Sequence, residues 1–155
     1  MLFLRALLSF LVLPGMVGGV IPFFMASSGV WSLPDRWSGG IWILFLGLFI
    51  LLWTVRDFYV SGKGTLAPWD PPKELVVVGL FKYMRNPMYV GVILIVAGWG
   101  LFSGSLLVLA WACFITIVFH VRVVVAEEPW CRRQFGQTWD DYTSKVNRWL
   151  PKLKS

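Results

Sequence analysis

The sequence is poor in charge. Only 14% of its 155 residues are charged, with eight acidic side chains and a single histidine, His120. An average soluble domain carries roughly 25% charged residues, and a water-soluble fold of this length needs more polar surface than this chain supplies. Cysteine is scarce as well. Cys113 and Cys131 are the only two, and Cys113 lies inside an apolar run, so a disulfide scaffold is excluded. Aromatic residues at 17% exclude a disordered chain. There is no Lys/Arg-rich helix or nucleic-acid motif, so the net charge of +6 is not assigned to nucleic acid. What is abundant is apolar surface, 57% of the chain. That balance describes a single integral membrane domain, 1–155.

A transmembrane helix needs about 20 mostly apolar residues to cross a hydrocarbon core ~30 Å thick. Four uncharged runs approach this, at about 6–31, 37–55, 87–101 and 105–121. The first contains Pro14, Pro22, Gly15, Gly18 and Gly19, the signature of a kinked or closely packed helix. It is long for a leader and lacks a cleavage-type A-x-A sequence. The last two runs, separated by Phe102-Ser103-Gly104-Ser105, read as a helical hairpin. Thirteen of the fourteen basic residues fall on one side of these spans and only Arg36 on the other. The positive-inside rule then places both termini and the segments 56–86 and 122–155 in the cytosol. The expectation is an all-α, polytopic membrane protein with about four transmembrane helices and a C-terminal cytosolic amphipathic helix. Its basic residues suit anionic headgroups of the bilayer.

Polar chemistry is confined to those two cytosolic segments, which the topology puts on one face. In the first, Pro68 to Pro72 forbids regular helix, Leu75 to Val78 is a short apolar piece, and Pro87 is placed to open the third span. Arg85 and Asn86 then stand at the mouth of that helix and Tyr89 in its first turn. In the second, Glu127 and Glu128 precede Pro129, which disfavours helical geometry at Glu128 and predicts a bend there. Trp139, Tyr142, Val146, Trp149 and Leu150 recur at spacings that give one apolar face, as in an interfacial helix.

The ordered set Gly79-Leu80-Phe81-Lys82-Tyr83-Met84-Arg85-Asn86-Pro87-Met88-Tyr89, then Gly98-Trp99-Gly100, then Glu127-Glu128 with Phe135-Gly136 and Tyr142, resembles the membrane methyltransferases typified by isoprenylcysteine carboxyl methyltransferase and phosphatidylethanolamine N-methyltransferase. The resemblance covers roughly Gly64 to Pro151. It implies S-adenosylmethionine as cofactor, held at the cytosolic helix ends, and a lipophilic or membrane-embedded methyl acceptor. Asn86 stands where such proteins often have His, which removes a proton acceptor. Cys131 and Trp139 stand where Leu and Tyr are usual; with Tyr142 they are similar to the C-terminal signature of membrane sterol reductases, so an NADPH-dependent reductase is the alternative. A membrane scaffold without catalysis is a second alternative.

What the resemblance implies for the site can be set against the chemistry of the cofactor. Methyl transfer from a sulfonium mainly requires positioning and a dry site. Arg85 and Tyr89 are the candidate catalytic residues. Tyr83, Asn86, Pro87, Gly98, Gly100, His120, Glu127 and Glu128 are the candidate cofactor-binding residues, and no metal is expected. Glu127 or Glu128 suits an ammonium or ribose hydroxyls, Arg85 a carboxylate, and the two glycines close approach. Each has a plainer reading too: helix packing for the glycines, a solvated salt-bridge cluster for the glutamates, a snorkelling anchor for Arg85, and a structural interfacial residue for His120.

Overall fold

The computed structural model describes residues 15–32, 37–62 and 74–151. Among them the chain forms helices α1 (Met16–Ser27), α2 (Gly40–Gly62), α3 (Pro87–Ser103), α4 (Leu106–Phe135) and α5 (Gln137–Lys145), a 3-10 turn at Gly79–Lys82, and no strand. By length and composition, two of these are fit to cross a membrane: α2 over Gly40–Ser61, and α4. Helices α1 and α3 are apolar but shorter. Residues 6–14 of the first expected span, Arg36 and the Pro68–Pro72 stretch lie outside the described residues. Trp42, Phe45 and Phe49 on α2 and Phe114, Ile117, Val121 and Val125 on α4 point outward and are exposed. Apolar outer faces on helices that also bury apolar residues suit lipid rather than water.

Helices α2 and α3 meet backbone to backbone, antiparallel. A Cβ on Gly47 would lie 2.7 Å from both Gly91 O and Ile95 N, and one on Gly40 would lie 2.6 Å from Gly98 O. Glycine at these positions permits an approach that any side chain would prevent. Leu51, Val92, Val96, Val108, Ala112 and Ile115 form the core beside this seam. The hairpin between α3 and α4 turns at Gly104, in the left-handed conformation (φ 68°, ψ 24°), and at Ser105, whose side chain accepts from Val108 N at 3.4 Å. Phe102 and Ser103 still belong to α3, so the break is narrower than the sequence suggests.

Two π turns accommodate prolines within helices. In α1 the Ile21 N–H reaches back to Met16 O, so the next carbonyl, Val17 O, faces Pro22, which has no N–H. The indole of Trp111 supplies the donor instead, at 3.1 Å. In α4 the turn Val123–Glu127 widens the helix just before Pro129, with Glu128 N–H bonded to Val123 O. The expected departure from helical geometry at Glu128 therefore does not occur (φ −62°, ψ −45°). A widened turn carries the helix through to Phe135 because it relieves the clash between the proline ring and the preceding carbonyls.

The C-terminal segment also differs from expectation. Gly136 (φ 51°, ψ −127°) separates α4 from α5, and the helix ends at Lys145, so Val146, Trp149 and Leu150 lie outside it. Trp139, Tyr142 and Val146 do not form an outward interfacial face. They are buried against Leu75, Cys131 and Phe135. The apolar piece at 75–78 is thus partly absorbed by this small second core, with Val76 buried too.

Candidate functional site

Pro87 opens α3, as its fixed φ and missing N–H favour. The residue before it, Asn86, is the N-cap, yet its side chain makes no capping bond. It donates instead to Arg148 O at 3.2 Å. Arg85 N donates to Asn147 O at 2.9 Å, and Met84 and Asn147 form a single parallel bridge. The segment preceding α3 is thereby tied to residues just beyond α5. Tyr142 fastens the same segment from below, its hydroxyl donating to Phe81 O at 2.6 Å.

The two glutamates on α4 diverge by about 100° around the helix axis and build two separate clusters. Glu128 accepts from Arg85 Nη1 at 2.9 Å and from Arg148 Nε and Nη2 at 2.7 and 2.8 Å, a bidentate contact with Arg148. Glu127 accepts from Arg122 Nε at 2.7 Å and from the Tyr89 hydroxyl. Arg122 Nε also donates to that hydroxyl at 3.1 Å. The Tyr89 ring packs on Phe119 at 4.4 Å between centroids and faces Trp149 at 6.5 Å. Trp149 Nε1 donates to His120 Nδ1 at 3.2 Å, which requires that ring nitrogen to be unprotonated.

Burial sets the electrostatics. The Arg85 side chain is only 13% exposed and sits over the Trp139 ring at 5.9 Å. Burial pulls its pKa below the ordinary guanidinium value, partly offset by Glu128. Arg148, more exposed, is raised by its hydrogen bonds to Glu128. Arg85 Nε is buried and has no hydrogen-bond partner among the described residues. A buried N–H of a charged group without an acceptor is costly, and this one is suited to an anionic oxygen.

The structure therefore brings together Arg85, Asn86, Tyr89, His120, Glu127 and Glu128, with Pro87 buried at the helix start. It leaves Tyr83 exposed, with no hydrogen bond to the cluster. Gly98 and Gly100 are also elsewhere. At about 1.5 Å of rise per residue, Gly98 lies roughly 16 Å along α3 from Pro87. A Cβ there would collide with Leu44 N, and one on Gly100 would lie 2.7 Å from the Leu109 side chain. Their close approaches are to α2 and α4, which is the packing reading. Cys131 and Trp139 belong to the second core. The site residues missed in the sequence are Arg122, Asn147 and Arg148, and Trp149, which the sequence places on an interfacial apolar face, bonds His120 instead. No local pattern marks Arg148, because it reaches Glu128 only once α5 has turned the chain back.

Two carboxylates, a phenol and an arginine with a spare donor, gathered where α3 begins and the long α4 passes, can hold a ligand bearing both charges. No solved structure matches the chain. The family model for phospholipid methyltransferases matches residues 36–138, a stretch that contains Arg85, Tyr89, Glu127 and Glu128 and stops short of Arg148. With most of its length matched, including both halves of the polar cluster, the chain belongs to the phospholipid methyltransferase family.

Proposed function

We propose that this protein is a polytopic membrane methyltransferase that uses S-adenosylmethionine to methylate a lipophilic or membrane-embedded acceptor. The observation that carries the reading is the Arg85–Glu128 pair, half of a charged cluster whose Arg85 Nε lacks a partner, in a chain of this family. The cofactor's amino-acid end is a zwitterion, and the residues present fit it: Glu128 suits the ammonium and Arg85 the carboxylate. When bound, the cofactor supplies an activated methyl group on a good leaving group. The chain's own work is positioning and exclusion of water. Glu127, held by Arg122 and Tyr89, presents a second carboxylate for hydroxyl groups, while Asn86 and His120 are engaged by Arg148 O and Trp149. Asn86 is no base, and Tyr89 is the candidate for orienting the acceptor. Both termini and the segments 56–86 and 122–155 face the cytosol in this reading.

The test is calorimetric titration of the detergent-purified protein with S-adenosylhomocysteine and, separately, with NADPH. The expected result is binding of the first alone, weakened by Glu128→Gln and Arg85→Ala by roughly tenfold to a hundredfold, equivalent to the loss of about 1.5–3 kcal/mol for a hydrogen bond to a charged group. Binding of NADPH alone establishes the reductase alternative. Binding of neither favours a scaffold.

A further inference from the structure

Beyond Val146 the chain passes along the polar cluster as a short strap, bridged to Met84 at Asn147 and bent from Arg148 to Leu150. Asn147 O accepts from Arg85 N, Arg148 O accepts from Asn86 Nδ2, the Arg148 guanidinium fills both oxygens of Glu128, and Trp149 bonds His120 and lies beside Tyr89. Each of these partners is a residue assigned above to the cofactor or to the acceptor. Three consecutive strap residues thus cover it, and the group that Glu128 would offer a ligand is already taken by Arg148.

The strap is firmly rooted only at its start. Val146 is buried in the second core and leaves the helix in an extended conformation (φ −121°, ψ 125°), whereas Leu150 and Pro151 are exposed. Between them the contacts are mostly polar bonds that water can replace, the composition of a segment that opens locally. Charge balance favours exchange as well. Arg148 and Glu128 satisfy each other, and a zwitterionic amino-acid group offers each of them a replacement of the right sign, so no charge is stranded when they part.

We propose that Asn147–Trp149 is a lid on the cofactor site, hinged at Val146 and latched shut by Arg148 on Glu128, so that cofactor exchange requires the latch to release. This rests on the methyltransferase reading above. The bridge between Met84 and Asn147 offers a means to lock the lid. The variant Met84→Cys/Asn147→Cys, in a full chain carrying Cys113→Ala and Cys131→Ser, is loaded with radiolabelled S-adenosylhomocysteine, and its exchange is followed after oxidation and again after reduction. Arg148→Gln, which needs no cross-link, is followed in parallel. The expected results are exchange slowed at least tenfold in the disulfide form and restored by reductant, and association and release both accelerated in Arg148→Gln. Unchanged exchange rates in both variants overturn the lid while leaving the methyltransferase reading intact. Failure of the parent chain to bind S-adenosylhomocysteine removes both.

Discussion

The position of Tyr142 shows how one side chain fixes the floor of the site. Its hydroxyl donates to Phe81 O, and burial raises its pKa above the ordinary phenol value of 10.0. The folded state therefore favours the neutral phenol. Its contribution is fully present below pH 10 and is lost as pH rises through the raised value, because the phenolate cannot donate to a carbonyl. Tyr142→Phe is expected to cost about 1 kcal/mol near neutral pH. It should also flatten the alkaline limb of the stability curve, and thermal unfolding of both proteins between pH 7 and 11 checks both effects. A fall in stability that is the same at every pH would place the loss in packing instead. The glutamates teach the complementary lesson. Sequence reasoning selected Glu127 and Glu128 as a pair, yet they serve different partners, Tyr89 with Arg122 and Arg85 with Arg148. That division could not be read from adjacency, because it depends on which neighbours the fold delivers to each side of α4.

Among the elements, the widened turn of α4 governs where the carboxylates point. Val123–Glu127 holds one residue more than a regular helical turn would. Deleting Val125 is expected to return α4 to regular winding and turn Glu127 and Glu128 by about 100° relative to the preceding helix, with Pro129 then pressing on a carbonyl. Binding of S-adenosylhomocysteine should fall more than tenfold while circular dichroism reports little change in helix content; retained binding would show that the turn is incidental. The seam between α2 and α3 is the second element-scale feature. Gly47→Val would force Gly91 and Ile95 away, and overpacking of this kind costs about 1–3 kcal/mol. Differential scanning calorimetry should show the loss, larger than for Gly19→Val, where a Cβ meets nothing within 4 Å. Some of these elements were legible beforehand. Pro87 starts α3 and the Gly104-Ser105 turn joins α3 to α4, because proline at a first turn and glycine in a left-handed cap act locally. The persistence of α4 through Pro129 was not, since a proline's effect depends on whether the preceding turn can widen.

At the scale of the molecule, the described helices form an assembly whose polar cluster lies at one end and whose outer faces are apolar. The four spans expected from the sequence would put Ser38, ahead of α2, and Ser144, in α5, on opposite sides of a bilayer. Single cysteines at each position, in a chain carrying Cys113→Ala and Cys131→Ser, should react with an impermeant maleimide in vesicles of opposite orientation; reaction on the same side would demand a different number of crossings. Composition foretold the helical class and the apolar exterior, since both follow from sums over many residues. The second core around Trp139, Tyr142 and Val146 is not legible in the sequence, because an apolar stripe looks the same whether it meets lipid or the chain itself.

The brevity of α3 bears on how an acceptor would arrive. Its 17 residues rise only about 26 Å, short of a hydrocarbon layer ~30 Å deep. A crossing helix of that length draws the bilayer inward around it by a few ångströms. Arg85, just ahead of it, and Tyr89, in its first turn, would then stand in a dimple of the inner leaflet, where a lipid can present its reactive end while its tails stay among their neighbours.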